Sequence, residues 1–142
     1  MKDNGLDKEK NMKNAGVVVK EMLDGILKGD AAAVMACFDP DVVVVEPESL
    51  AYGGVHRGLA AFQKDVHGVI LSKLSIEIGR CELLGSEGKV AASMDITFTS
   101  RKTGQRIMMP YVEVYTVKND KIAYLDVYPQ DTRRFGDFWD AN

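Results

Sequence analysis

The spacing of apolar residues changes twice along this chain, and the changes mark out its elements. From Asn14 the apolar positions recur at helical spacing: Val18, Met22 and Ile26, with Val19, Leu23 and Leu27 beside them. Lys28-Gly29 ends that helix. Asp30 is placed to cap a second, short helix over residues 31–38, filled by Ala33, Val34 and Ala36 and stopped at Phe38-Asp39-Pro40. The valines from Val42 to Val45 then read as a strand closing on Glu46-Pro47. A loop containing Gly53-Gly54 leads into a third helix, from about Leu59 to Leu71, with Leu59, Phe62, Val66, Val69 and Ile70 on one face.

After Lys73 the period falls to two. Ile76 and Ile78 begin a strand that reaches Leu83-Leu84, and Gly85-Ser86-Glu87-Gly88 turns the chain. The next strand, 89–100, alternates Val90, Ala92, Met94, Ile96 and Phe98 against Ala91, Ser93, Asp95, Thr97 and Thr99. Thr103-Gly104 turns the chain into a strand over 105–117, in which Pro110 predicts a bulge or an edge. Asn119-Asp120 forms a hairpin turn into a last strand, 121–128. Three helices with one inserted strand, then four consecutive antiparallel strands, predict an α+β domain: a curved, mostly antiparallel sheet wrapped around the three N-terminal helices. The domain spans 14–130. Residues 1–13 are polar and expected to be a flexible tail, with Met12 as an alternative start. Residues 131–142 form a C-terminal tail whose Phe135, Phe138 and Trp139 are suited to lid the sheet opening or to meet a partner subunit, with a frayed end as the alternative.

Composition narrows the function classes. In 142 residues, 46% hydrophobic and 27% charged content describe one ordinary globular domain with its own core. A net charge of −3 lacks the basic footprint of a nucleic-acid binder. No apolar run reaches bilayer length and the N-terminus is not a signal peptide, so no membrane partner and a cytoplasmic location are expected. Cys37 and Cys81 make no disulfide framework and read as small hydrophobes. His56 and His67 have no ligand-like spacing, so no metal is expected.

Chemistry gathers on carboxylates in apolar settings. Glu46 closes a run of β-branched residues. If it stands at a pocket wall, desolvation raises its pKa and makes it a candidate proton carrier. Alternation puts Glu113 on the face of Met109, Tyr111, Tyr115 and Val117. Asp126 groups with Ile122, Tyr124 and Tyr128 against Ala123, Leu125 and Val127; both faces are apolar, so periodicity leaves its direction open. Asp95 lies opposite the apolar face of its strand and reads as solvated or subunit-facing. His56 sits in the loop after the first strand.

Three segments carry a family resemblance: Phe38-Asp39-Pro40-Asp41-Val42-Val43-Val44-Val45-Glu46-Pro47, Arg57-Gly58-Leu59-Ala60-Ala61-Phe62 and Val112-Glu113-Val114-Tyr115-Thr116-Val117-Lys118-Asn119-Asp120-Lys121-Ile122. Their order and spacing resemble the SnoaL-like polyketide cyclases and ketosteroid isomerases of the nuclear transport factor 2-like superfamily. The resemblance implies a conical α+β barrel, a deep hydrophobic pocket and a homodimer paired through the outer sheet face. It also implies cofactor-free acid–base chemistry, of isomerase or cyclase type, on a small hydrophobic carbonyl compound. Glu46 matches the isomerase base before a proline. Glu113 matches the neutral acid that holds the enolate oxygen, as in the isomerase that serves as a standard example of split carboxyl pKa values. Asp126 is a second-rank catalytic candidate. Tyr111, Tyr115, His56, Met22, Phe62, Phe98 and Tyr128 are candidates to contact substrate. The isomerases carry a tyrosine on the first helix where Met22 stands here, which weakens steroid isomerisation in particular. Two alternatives remain: a non-catalytic domain binding a small ligand or a protein, with Glu46 and Glu113 paired to Arg57 or Arg106, and a water-using epoxide or lactone hydrolase, which requires Asp95, Asp126 and an arginine inside the barrel.

Overall fold

The computed structural model describes residues 14–142; the expected flexible tail and alternative start lie outside the described residues. Helix α1 spans Ala15–Lys28. The Asn14 side chain accepts from the Val17 N–H at 2.9 Å at its start, and Gly29 closes its end at φ 69°. Helix α2 (Ala31–Ala36) is capped by Asp30, as its sequence predicts. It stops two residues short of the expected end, because Phe38 already belongs to a strand. Strand β1 (Phe38–Glu46) pairs Phe38 with Ile122 and resumes its ladder only at Val43. Pro40 lies in that gap, where its missing N–H costs no ladder bond.

Strand β2 (Gly54–Arg57) is a short edge strand absent from the sequence reading; it pairs antiparallel with the end of β1. The third helix is built from α3 (Leu59–Phe62), a π-helical turn (Gln63–His67) and α4 (Gly68–Lys73). The Gly68 N–H reaches back five residues to the Gln63 carbonyl, and a Cβ at 68 would stand 2.7 Å from that oxygen. Glycine therefore permits the widened turn.

Strands β3 (Leu74–Ser86), β4 (Lys89–Ser100), β5 (Arg106–Lys118) and β6 (Lys121–Pro129) form the antiparallel meander the alternation predicted. Asn119 and Asp120 both take positive φ, 52° and 62°, as a two-residue hairpin turn requires. Pro110 sits where β5 has run past the end of β6, so on that side it needs no N–H; its carbonyl accepts from Gln130 instead. The sheet order is β2-β1-β6-β5-β4-β3, with only β1 and β6 parallel. One face buries Val42, Val44, Leu125, Val127, Tyr111, Tyr115, Ala92, Met94 and Phe98 against α1, which crosses β3 to β6.

The C-terminal aromatics form helix α5 (Thr132–Ala141), which roofs one end of that face. Phe135 is fully buried, 4.9 Å from the Phe98 ring and edge-on to Tyr111, and Trp139 meets Tyr52 edge-on at 5.3 Å. Lys73 ties the helix down: its Nζ donates to the Trp139 carbonyl at 3.0 Å and lies 4.5 Å from the indole centroid. Of the two uses the sequence allowed this segment, closure of the sheet end is the one observed. Among the described residues, no helix is long and apolar enough to cross a membrane.

Candidate functional site

Strand register brings Glu46 and Glu113 together. Val45 stands opposite Asp126, so the next rung sets Glu46 beside Val127; Glu113 stands opposite the same Val127 on its other side. The carboxyls therefore flank one valine on the covered face, although 66 residues of chain lie between them. Glu46 is 6% exposed. Its pKa is pushed up to about 9, first by burial and second by the nearby Glu113 charge. Burial also raises Glu113, opposed by a hydrogen bond from the Tyr115 hydroxyl to its Oε1 at 2.7 Å. Glu113 keeps part of its surface accessible while its carboxyl is strongly desolvated. Among the described residues neither glutamate has an ion-pair partner, and Arg106 is engaged by Glu77 at 3.1 Å instead.

Phenols surround the pair. Tyr111 and Tyr115 lie on the covered face of β5, 6% and 1% exposed. Tyr52, from the loop between β1 and β2, is equally buried, and its hydroxyl shares a hydrogen bond with that of Tyr111. Burial raises the pKa of all three, so they stay protonated donors. The loop that delivers Tyr52 is tight. Leu50 N donates to Pro47 O, Gly53 N donates to Leu50 O, and a Cβ on Gly53 would come within 2.1 Å of the Pro47 carbonyl. His56 Nε2 lies 2.8 Å from the Tyr52 carbonyl oxygen, so this histidine braces the loop. Sequence reading missed Tyr52; the available signal was an aromatic residue directly before Gly53-Gly54 in the loop that follows Glu46-Pro47.

The remaining candidates divide. Met22 and Phe98 are buried on or against the covered face, Phe98 packed on Tyr111. Phe62 is core, stacked between Phe38 and His67. Asp126 and Tyr128 point to the opposite face of β6, where Tyr128 is 56% exposed. Both lie on the outer surface and do not share the covered face with Glu46 and Glu113, because from Tyr124 onward the even-numbered residues of β6 alternate away from Leu125 and Val127. They do line, with Glu46 and Pro47, an open groove of about 290 Å³ where β1 and β6 end. A hollow of about 670 Å³ lies at the other end of the sheet, between α1, α2 and the β5–β6 turn, away from both glutamates. Asp95 also faces outward, held by Arg80 from β3 with Nε and Nη2 each 3.3 Å from a carboxylate oxygen. No arginine lies two residues from Asp95 along its own strand; the partner is supplied by the neighbouring strand. Asp95, Asp126 and an arginine do not converge inside the barrel, as the hydrolase alternative requires. Cys81 is corrected as well. A bulge after Ile78 shifts the register of β3 and sets the thiol opposite Met94, exposed and within range of the Glu113 charge.

Among curated proteins none matches this chain. Solved structures of like fold are numerous. An NTF2-like protein of unknown function from Burkholderia pseudomallei superposes with a TM-score of 0.76 at 19% identity, covering 87% of this chain and 95% of its own. A protein of Xanthomonas campestris, provisionally named a polyketide cyclase, gives 0.75 at 17% identity, covering 87% and 94%. TerC, co-crystallised with polyporic acid, gives 0.74 at 20% identity, covering 84% and 93%. At these identities the likeness establishes the fold. The family model of the SnoaL-like domain matches residues 19–125, from within α1 to the middle of β6, and the chain therefore belongs to the SnoaL-like family.

Proposed function

We propose that this protein is a cofactor-free acid–base catalyst that moves protons on a small, hydrophobic, enolisable carbonyl compound, in the manner of an isomerase or cyclase. The observation that carries the reading is the placement of Glu46 and Glu113 on one covered face, on either side of Val127, with no basic partner among the described residues. Two carboxyls on either side of one valine in a desolvated setting are coupled: the charge on one raises the cost of ionising the other. In the singly ionised state the pair holds one base and one acid. Proton abstraction next to a carbonyl needs that combination and no more. The co-crystallisation of TerC with polyporic acid is in keeping with a small organic occupant for this fold.

The reading is tested by exchange of the α-hydrogens of 2-tetralone with D2O, followed by NMR. Acceleration by the protein, lost in the double variant Glu46→Gln/Glu113→Gln, is expected. Failure to accelerate exchange, together with ordinary carboxylate titration of both glutamates, returns the protein to the non-catalytic binding domains.

A homodimer paired through the outer sheet face belongs to the same proposal. Met108, Val112, Tyr124 and Tyr128 leave that face with apolar side chains 38–56% exposed. Light scattering of the protein and of Val112→Lys checks it: a dimer that the lysine dissociates is expected.

A further inference from the structure

We propose that Tyr115 decides which of the two carboxyls gives up its proton first, making Glu113 the base and leaving the proton on Glu46. This rests on the acid–base reading above and reverses the roles implied by the family resemblance, in which the glutamate before the proline is the base. The pair is nearly symmetric in placement: same face, same valine between them, both desolvated. One contact breaks the symmetry. The Tyr115 hydroxyl donates to Glu113 Oε1 at 2.7 Å, whereas among the described residues no side chain donates to Glu46. A donor held against a carboxylate favours its charged form.

The donor is fixed in place. Tyr115 is 1% exposed, stands in register between Val90 and Leu125, and reaches Glu113 across the two-residue repeat of one strand. The titratable groups whose charge bears on the pair are Tyr52 from the β1–β2 loop, Tyr111 and Tyr115 on β5, and Cys81 on β3. None of them is a cation. Among the described residues, no cation acts on either carboxyl to overturn the preference set by the phenol; Arg80 acts on Cys81 alone of these groups.

The reaction this permits balances without a co-reactant. Glu113 takes a proton from the carbon beside the carbonyl. The C–H electron pair moves into the new C=C bond, and the carbonyl oxygen takes the hydrogen bond, then the proton, of Glu46. Return of the Glu113 proton to carbon, at the same or a conjugated position, while Glu46 recovers its own, restores the enzyme. Tyr115 touches neither reacting atom and is a positioning residue.

The test reads both ionisation and rate. Side-chain carboxyl carbons of 13C-labelled protein are titrated by NMR, and 2-tetralone exchange is followed against pH, for the wild type, Tyr115→Phe, Glu46→Gln and Glu113→Gln. Expected first is a wild-type titration in which Glu113 ionises before Glu46. Tyr115→Phe then moves the Glu113 midpoint and the acidic limb of the rate profile upward together by about one pH unit, the equivalent of one charge-assisted hydrogen bond. Glu113→Gln lowers exchange by at least about 100-fold, while Glu46→Gln costs about tenfold and removes the alkaline limb. A Glu46 that ionises first, or a Tyr115→Phe protein with both midpoints unmoved, overturns the assignment. The titration needs no substrate. A protein that orders its carboxyls as stated but exchanges no 2-tetralone hydrogens keeps this inference and loses the proposed reaction. Near-ultraviolet circular dichroism establishes that each variant is folded.

Discussion

Glu113 and Asp95 sit three rungs apart on adjacent strands, one on each face of the same sheet. Asp95 faces outward and is gripped by the Arg80 guanidinium, with Ser93 accepting a further bond. Glu113 faces inward and has only the Tyr115 hydroxyl. The outer acid has a cation and water to sustain its charge. Among the described residues the inner one has a single neutral donor, a second carboxyl across a valine and no cation, so its ionisation is expensive. A difference of one residue in strand phase thus separates an ordinary surface ion pair from a candidate proton carrier.

The largest way to disturb this contrast is to open the roof. Phe135→Ala removes a fully buried ring from the aromatic cluster with Phe98, Tyr111 and Trp139. It should cost roughly 3–5 kcal/mol of stability in urea unfolding. Water admitted beside Tyr111 should bring the Glu46 midpoint down from about 9, while the Arg80–Asp95 pair on the outer face stays in place.

The pH dependence of stability comes next. Glu46 rises from an ordinary 4.5 to about 9 on folding. Between those values the folded chain holds a proton that the unfolded chain has lost. Stability from this group is therefore complete below pH 4.5 and is lost as pH rises toward 9. At roughly 1.4 kcal/mol per pH unit, the wild type should lose about 3 kcal/mol between pH 5.5 and 7.5. Glu46→Gln should flatten that slope and leave the protein more stable at pH 8, which urea unfolding at several pH values checks directly. A wild-type slope equal to that of the variant would mean that water reaches the Glu46 carboxyl.

Smaller still is the loop that delivers Tyr52. Gly53→Ala forces a methyl against the Pro47 carbonyl and should cost roughly 1–3 kcal/mol. The loop must move to relieve the clash, so Tyr52 should leave Tyr111, seen as a change in tyrosine ring resonances. The smallest effect is expected outside. Asp95→Asn breaks an exposed pair that salt already screens, so the melting temperature should move by no more than about 2 °C. The 2-tetralone exchange rate should not change at all. An Asp95→Asn protein that loses exchange would erase the distinction between the two faces.

Much of the fold is legible in the residues, for local reasons. Asn14 and Asp30 announce helix starts because their side chains can accept from backbone N–H groups two or three residues on. The alternation from Val90 to Phe98 announces a two-faced strand because side chains in a strand must alternate. Glu46 and Glu113 are legible as carboxyls among apolar neighbours. What failed was whatever depended on another segment. Strand β2 exists because it pairs with β1, and its own four residues, Gly54-Val55-His56-Arg57, carry no strand signal. Arg80 is invisible as the partner of Asp95 because a bulge in β3 presents it there. Asp126 and Tyr128 sit on a strand apolar on both sides, where periodicity has no preferred face.

The sequence by itself therefore determined the three N-terminal helices, five of the six strands and their order, the family and the two carboxyls worth following, since each rests on local spacing and on residue chemistry. Tertiary structure alone decided that Glu46 and Glu113 share one valine, that Tyr115 donates to one of them and not the other, and that Tyr52 and helix α5 close the surroundings. The physical reason is that ionisation energy depends on what solvates a group. Here the solvating groups come from β5, the β1–β2 loop and the C-terminal helix, which meet only when the sheet has curved and been covered.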